Sequence, residues 1–368
     1  MMNMNMIELN EMTDLLERFF HDTSHRMLMI GGIVGTHLLS HVLNAATEIY
    51  PFERILTLEG CADYCYIPKR FIPNYIPYSY IFYDMYVPTV DHEEVFPVHF
   101  YQEKIPCVKM IHHSMYQKYP IVIINNAHLI DIEMIQQLVE TCRWKIVLIG
   151  DPFDIGGEEF MQVPCVVSCL EKQSPIVGMA RKLWDISTYA IDKRAPGNVT
   201  HGKVTRKGIG KLDGRMYISN DMEIVQSANQ QQRMQTFRKG LRFLVTDDRL
   251  SIALDDTKQQ HVITKNMMLI MNRANLNSPI PQQFRLYHSK QIIRLDIEYD
   301  TTQHYLNERD YHIQVKPANV LTPNDAKYHR YLNTVLVITK ELSKREMYSV
   351  MKNSVNLAIC TMKGSDSH

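Results

Sequence analysis

No run in this 368-residue chain approaches the roughly 20 consecutive apolar residues that a helix needs to cross a bilayer, which excludes a helical membrane span. The opening residues, MMNMNMIELNEM, lack a basic stretch followed by an apolar one. No secretory leader is therefore expected, and the protein is read as cytoplasmic. Cysteine is scarce: seven thiols, an odd number, fit a reduced chain better than a disulfide framework. Net charge is missing as well. Forty basic and forty acidic side chains cancel, so any contact with nucleic acid would depend on local patches. No repeat of fixed period is present. Two cysteine pairs, Cys61 with Cys65 and Cys165 with Cys169, lie far apart and depart from the usual zinc-ligand spacings, so no metal is expected.

What the chain does have is apolar material, 45% of its residues, enough for a sizeable core and more than one core usually holds. Two domains are expected, at 1–187 and 188–368. The first begins with an amphipathic helix over 6–20, then a short strand, Arg26 to Ile30, that runs through the glycine-rich GGIVG into a helix. RILTL (54–58), IVII (121–124) and KIVLI (145–149) predict further strands, the last two separated by a helix over about 130–142. Strands alternating with helices predict a parallel sheet covered on both faces. Residues 190–240 turn polar and are expected to form a hinge. Short alternating segments over 261–316 predict a small antiparallel insertion in the second domain, which closes with a strand, a helix and a last strand.

The segment IVIINNAHLI (121–130) raises the chemical question. Buried parallel strands that serve nucleotide hydrolysis end in two carboxylates, and here Asn125 and Asn126 stand in those places. In order and position the segments resemble a superfamily-one helicase, the RecD-like and Dda-like group in particular. MLMIGGIVGTHLLS from Met27 resembles the phosphate loop, ILTLEGCADYC from Ile55 resembles motif Ia, and MIHHSMY from Met110 resembles the T-I-H segment. KIVLIGDPFD from Lys145 resembles motif III, and IDKRAP with Arg194 resembles motif IV. VLTPNDAKY from Val320 and MYSVMKNSV from Met347 resemble motifs V and VI. The resemblance spans most of the chain and implies an α/β fold of two RecA-like parallel-sheet domains.

It also implies a nucleotide site whose working residues are missing. With Gly32 and Gly35 on the motif's glycines, Leu38 takes the place of the phosphate-binding lysine. Asn125 and Asn126 are poor ligands for a hard cation, and they cannot take a proton from water as a general base must. If buried, their amides are expected to find partners in the glycine loop or motif III. Asp154 replaces a glutamine and adds a negative charge at the phosphate position, and Asn353 replaces the motif VI arginine unless Lys352 or Arg345 reaches in. Asp151, at the end of a strand, reads as a helix cap or a site residue. Losses at so many positions of one activity suggest a magnesium site erased from an ancestor.

The expectation is an inactive, helicase-like scaffold or binding subunit of a replication, recombination or transcription complex, with no cofactor. The alternatives are a single-stranded DNA or RNA binder and a divergent ATP-dependent helicase. A third reading, an unrelated α/β enzyme using His112, His113 and Asp151, offers no readable nucleophile. Residues placed to meet a strand are Cys61, His112, His113, Thr322 and Asn324, together with the basic run Lys203, Arg206, Lys207, Lys211 and Arg215. The richness in methionine, asparagine and tyrosine suits a virus, and the host cytoplasm as location.

Overall fold

The computed structural model describes residues 5–7, 9–31, 35–61, 75–78, 85–86, 119–141, 145–151, 154, 168–171, 198–233, 239–246, 250–254, 260–273, 282–287, 290, 292–295, 297–299 and 313–363. They form two compact units. The first takes residues 1–82, 110–196 and 343–352, and the second takes 83–109, 197–342 and 353–368.

Seven parallel strands build the first unit. In chain order they are β1 (Asn5–Ile7), β2 (Met27–Gly31), β3 (Ile55–Glu59), β4 (Tyr75–Pro77), β6 (Ile121–Asn125), β7 (Lys145–Gly150) and β8 (Ser168–Glu171), while β5 (Met85–Tyr86) belongs to the second unit. Their order across the sheet is β1-β8-β2-β7-β6-β3-β4. The three strands ending near Ile30, Ile149 and Ile124 therefore lie side by side, with Met27 opposite Ile146 and Val122 opposite Ile146. β3 and β6 are buried at every position, as their unbroken apolar runs require when both faces of a parallel sheet are covered. The helices Leu9–His21 and Gly35–Thr47 seal one core, where Met12, Leu16 and Phe20 meet Ile30, Ile123 and Val147. Fully burying a leucine such as Leu16 contributes about 1.5 to 3 kcal/mol.

The second unit has a five-stranded parallel sheet in the order β19-β10-β20-β21-β9. Its members are β9 (Asn198–Val204), β10 (Met216–Ser219), β19 (Val320–Leu321), β20 (Tyr331–Ile338) and β21 (Ser354–Met362). A six-stranded sheet joins β11 (Arg242–Val245), β14 (Met268–Arg273), β15 (Gln282–Leu286), β16 (Ile292–Leu295), β17 (Ile297–Tyr299) and β18 (Ile313–Pro317). All of its ladders are antiparallel except β17 with β18. The small antiparallel element is thus present, and it starts at Arg242, earlier in the chain than the alternation suggested. β12 (Leu250–Leu254) and β13 (Gln260–Ile263) pair with β5 as a third sheet.

The expected hinge over 190–240 holds the boundary between the units, at Pro196 and Gly197, but from Asn198 onward it is largely regular structure, a correction to the sequence reading. It contributes β9 and β10 to the parallel sheet and a helix, Met222–Arg233, to its cover. That helix is polar over most of its length and buries a narrow stripe, Ile224, Val225 and Ala228, against Val320 and Val335. Three anchors within a glutamine-rich segment carry the helical period faintly, and the sequence reads as a loop.

Candidate functional site

The carboxyl ends of β6 and β7 in the first unit hold four of the residues that the sequence placed at a nucleotide site, Asn125, Asn126, Asp151 and Asp154. Leu38 lies in the first turns of the helix Gly35–Thr47, 1% exposed, in the apolar core with Leu28 and Ile30. A branched aliphatic side chain in that position packs into the apolar core and offers no charge to a phosphate. Gly35 opens the helix, while Gly32, His112, His113 and Arg194 lie outside the described residues. So do Cys65 and Cys165.

Asn125 ends β6, and Asn126 follows in the left-handed region at φ 51°, a conformation that asparagine adopts more readily than most residues. Their amides turn to a residue that the sequence reading passed over. Asn125 Nδ2 donates to Glu59 Oε2 at 2.8 Å, and Asn126 Nδ2 donates to Glu59 Oε1 at 2.7 Å. Cys61 N donates to the same Oε1 at 3.0 Å. Among the described residues, the partner of both amides lies neither in the glycine loop nor in motif III, as the sequence led one to expect, but in the buried Glu59 side chain at the end of β3. Charge-assisted bonds of this kind are the stronger ones. Gly60 N closes the corner on the Asn125 carbonyl at 2.9 Å, and a Cβ on Gly60 would stand 2.3 Å from the Asn126 carbonyl oxygen. Cys61 is 2% exposed, so its thiol presents no surface to a strand.

A second network lies at the end of β7. Asp151 N donates to His128 Nδ1 at 3.0 Å, which leaves the imidazole proton on Nε2, 3.5 Å from Asp154 Oδ2. The helix Lys344–Asn353 brings two more groups, and its residues up to Lys352 belong to this same unit. Tyr348 donates its hydroxyl to Asp151 Oδ2 at 2.9 Å. Lys352 Nζ pairs with Asp154 Oδ2 and lies 3.2 Å from Asp151 Oδ2. Lys352, one of the two residues considered from sequence to reach in at this place, thus meets both carboxylates. The charge of Asp154, read from sequence as facing a nucleotide, lies against a lysine of the chain itself.

Burial opposes both charges of this pair, yet mutual attraction prevails. Desolvation pushes the Asp154 carboxyl up, but Lys352 and then His128 outweigh it and hold it below its ordinary value. Desolvation pushes Lys352 down, but Asp154 and then Asp151 hold it above its ordinary value. Burial, reinforced by Lys352, lowers His128 and keeps it neutral. Burial, then Asp151, raises the Tyr348 phenol well above its ordinary value, so it remains a donor.

The remaining candidates lie in the second unit. Asn353 is buried and donates to the Lys327 carbonyl at 3.3 Å. Thr322 caps the short helix Pro323–Ala326, accepting from Asp325 N at 3.1 Å, and Asn324 is exposed on it. Lys203, Arg206, Lys207, Lys211 and Arg215 are all exposed along β9 and the turn that follows it. Among these five, Arg215 is engaged by Asp213.

No protein-family model and no curated protein matches the chain. Solved structures do. One, of Pif1 helicases studied for DNA unwinding at forked double-stranded DNA, aligns over 96% of this chain and 92% of its own at 9% identity and a TM-score of 0.53. Another, Bacteroides Pif1 bound to single-stranded DNA, aligns over 96% and 92% at 10% identity and a TM-score of 0.51. The fold is a helicase fold. Within it, the sequence signals for the two networks are an acidic residue closing the apolar strand ILTLE and a histidine just beyond IVIINN.

Proposed function

We propose that this helicase-fold chain does not turn over ATP and works as a scaffold or binding subunit of a nucleic-acid-processing complex. One observation carries the reading. Leu38, in the place of the phosphate-binding lysine, is packed into the apolar core of the first unit. Two others support it. The amides at 125 and 126 are committed to Glu59, and Lys352 is committed to Asp151 and Asp154. Among the described residues at the ends of β6 and β7, these two amides and this ammonium already have internal partners.

A second reading, a binder of single-stranded DNA or RNA, is favoured by the exposed basic run from Lys203 to Lys211 and by a fold that carries single-stranded DNA in Bacteroides Pif1. Electrostatic contact of that kind weakens steeply with salt. The two readings separate in one experiment: affinity capture of the tagged chain from its native source, with and without nuclease. The scaffold reading expects the same protein partner in both samples. A chain that emerges with nucleic acid alone, and binds labelled oligonucleotide in a salt-dependent manner, would replace it.

A further inference from the structure

The parallel sheet of the second unit ends on an open strand. β9 is last in the strand order and pairs with β21 alone, in unbroken register from Asn198 opposite Asn356 to Val204 opposite Met362. Thr200, His201, Gly202 and Lys203 are exposed in succession, so both faces of the strand are open to solvent there. The Val204 carbonyl accepts from Lys363 N at 2.9 Å, which fixes the phase of the ladder. In a parallel pair, a residue that bonds the neighbouring strand uses both its N–H and its carbonyl, and the residues before and after it turn theirs the other way. The backbone groups of Thr200, Gly202 and Val204 therefore face β21. Those of Val199, His201 and Lys203 face the open edge, about 7 Å apart. Among the described residues they meet no partner.

This edge also carries charge of one sign. No carboxylate occurs between Asn198 and Leu212, a segment that holds Lys203, Arg206, Lys207 and Lys211. All four cations are exposed, and among the described residues none has an ion pair or a hydrogen bond. Lysine on an edge strand keeps a second copy of the same edge from adding to it, because like charges would meet. The same charge selects an acidic strand. A nucleic-acid backbone would meet the cations and the N–H groups but leave the outward carbonyls unmatched, and residues 198–212 hold no Phe, Tyr or Trp on which a base could stack. An extended polypeptide supplies donors and acceptors in alternation, as this edge requires.

We propose that β9 is the docking edge for an acidic, extended segment of a protein partner, which adds to the five-stranded sheet as a further strand. The proposal rests on the scaffold reading and gives its partner a chemistry. Side chains alternate across a strand, so an acid at every second position of the partner puts its charges on the face that carries Lys203, where directly opposed unlike charges attract.

Fluorescence anisotropy of a labelled peptide that alternates glutamate with threonine, titrated with the full chain, tests this. The peptide should bind, and the same peptide with lysine in the glutamate places should not. A fully N-methylated glutamate peptide keeps the charges, loses the N–H donors, and should not bind either. His201→Pro removes an outward N–H and no bond to β21, so it should fold as the parent does and bind roughly tenfold more weakly or worse. Lys203→Glu leaves the backbone intact and should lose a similar factor through charge. Failure of the glutamate peptide to bind, equal binding of the lysine or N-methylated peptide, or undiminished binding by Lys203→Glu would overturn the proposal. So would a single-stranded oligonucleotide that binds the parent and not Lys203→Glu while the peptide does not bind, or a dimer of the chain that His201→Pro dissolves. Capture of the same protein from the native source by the parent and by both variants would keep the scaffold reading and remove this edge from it.

Discussion

Lys352 Nζ stands 3.2 Å from Asp151 Oδ2 and also pairs with Asp154, so one ammonium answers two buried carboxylates at the end of β7. Truncating one partner of a buried ion pair leaves an uncompensated charge, at a cost of about 3 to 5 kcal/mol. Lys352→Met should lower the free energy of unfolding in urea by that amount. Adding Asp154→Asn should recover part of it, because the amide removes the stranded charge. A single variant as stable as the parent would mean that the pair contributes nothing.

The same cluster sets a pH dependence. His128 titrates lower when folded than its ordinary 6.5, so its contribution is full above that value and is lost as the pH falls. Asp154 is depressed below its ordinary 3.8, so its contribution is present above that value and is lost on further acidification. Lys352 is raised above its ordinary 10.5, so its contribution is present below that value and is lost as the pH rises through the folded value. Unfolding free energies measured from pH 3 to 11 should therefore fall off on both sides, with the first acid decline starting below pH 6.5. In His128→Asn that first decline should vanish.

Restoring carboxylates at the end of β6 should harm the protein. Asn125→Asp with Asn126→Glu would exchange two donors to Glu59 for two further negative charges beside it, and each lost charged hydrogen bond costs roughly 1.5 to 3 kcal/mol. The double variant should melt earlier than the parent, and magnesium should rescue it weakly. Adding Glu59→Gln should restore part of the loss. That addition separates charge repulsion from the backbone strain of a glutamate at the positive φ of residue 126.

These networks also mark where sequence reading reached and where it stopped. The buried strands β3, β6 and β7 were legible because a parallel sheet covered on both faces demands unbroken apolar runs. The helix Met222–Arg233 was not, since three apolar anchors among glutamines leave the period weak. Substitutions such as Leu38, Asn125 and Asn126 were visible as departures from a pattern. Their replacements were not. Glu59 lies 66 residues before Asn125, and Lys352 lies 198 residues after Asp154, so only the folded sheet brings each pair together.

The proposed lack of ATP turnover is tested most directly by equilibrium binding of ATP with magnesium, followed by phosphate release over hours. With Leu38 in the core and Lys352 bound to Asp151 and Asp154, the purified chain should show no micromolar binding and no turnover above buffer. Release of phosphate that is abolished in Asn126→Ala or Glu59→Gln would contradict it, and abolition in Glu59→Gln would assign the catalytic carboxylate to Glu59.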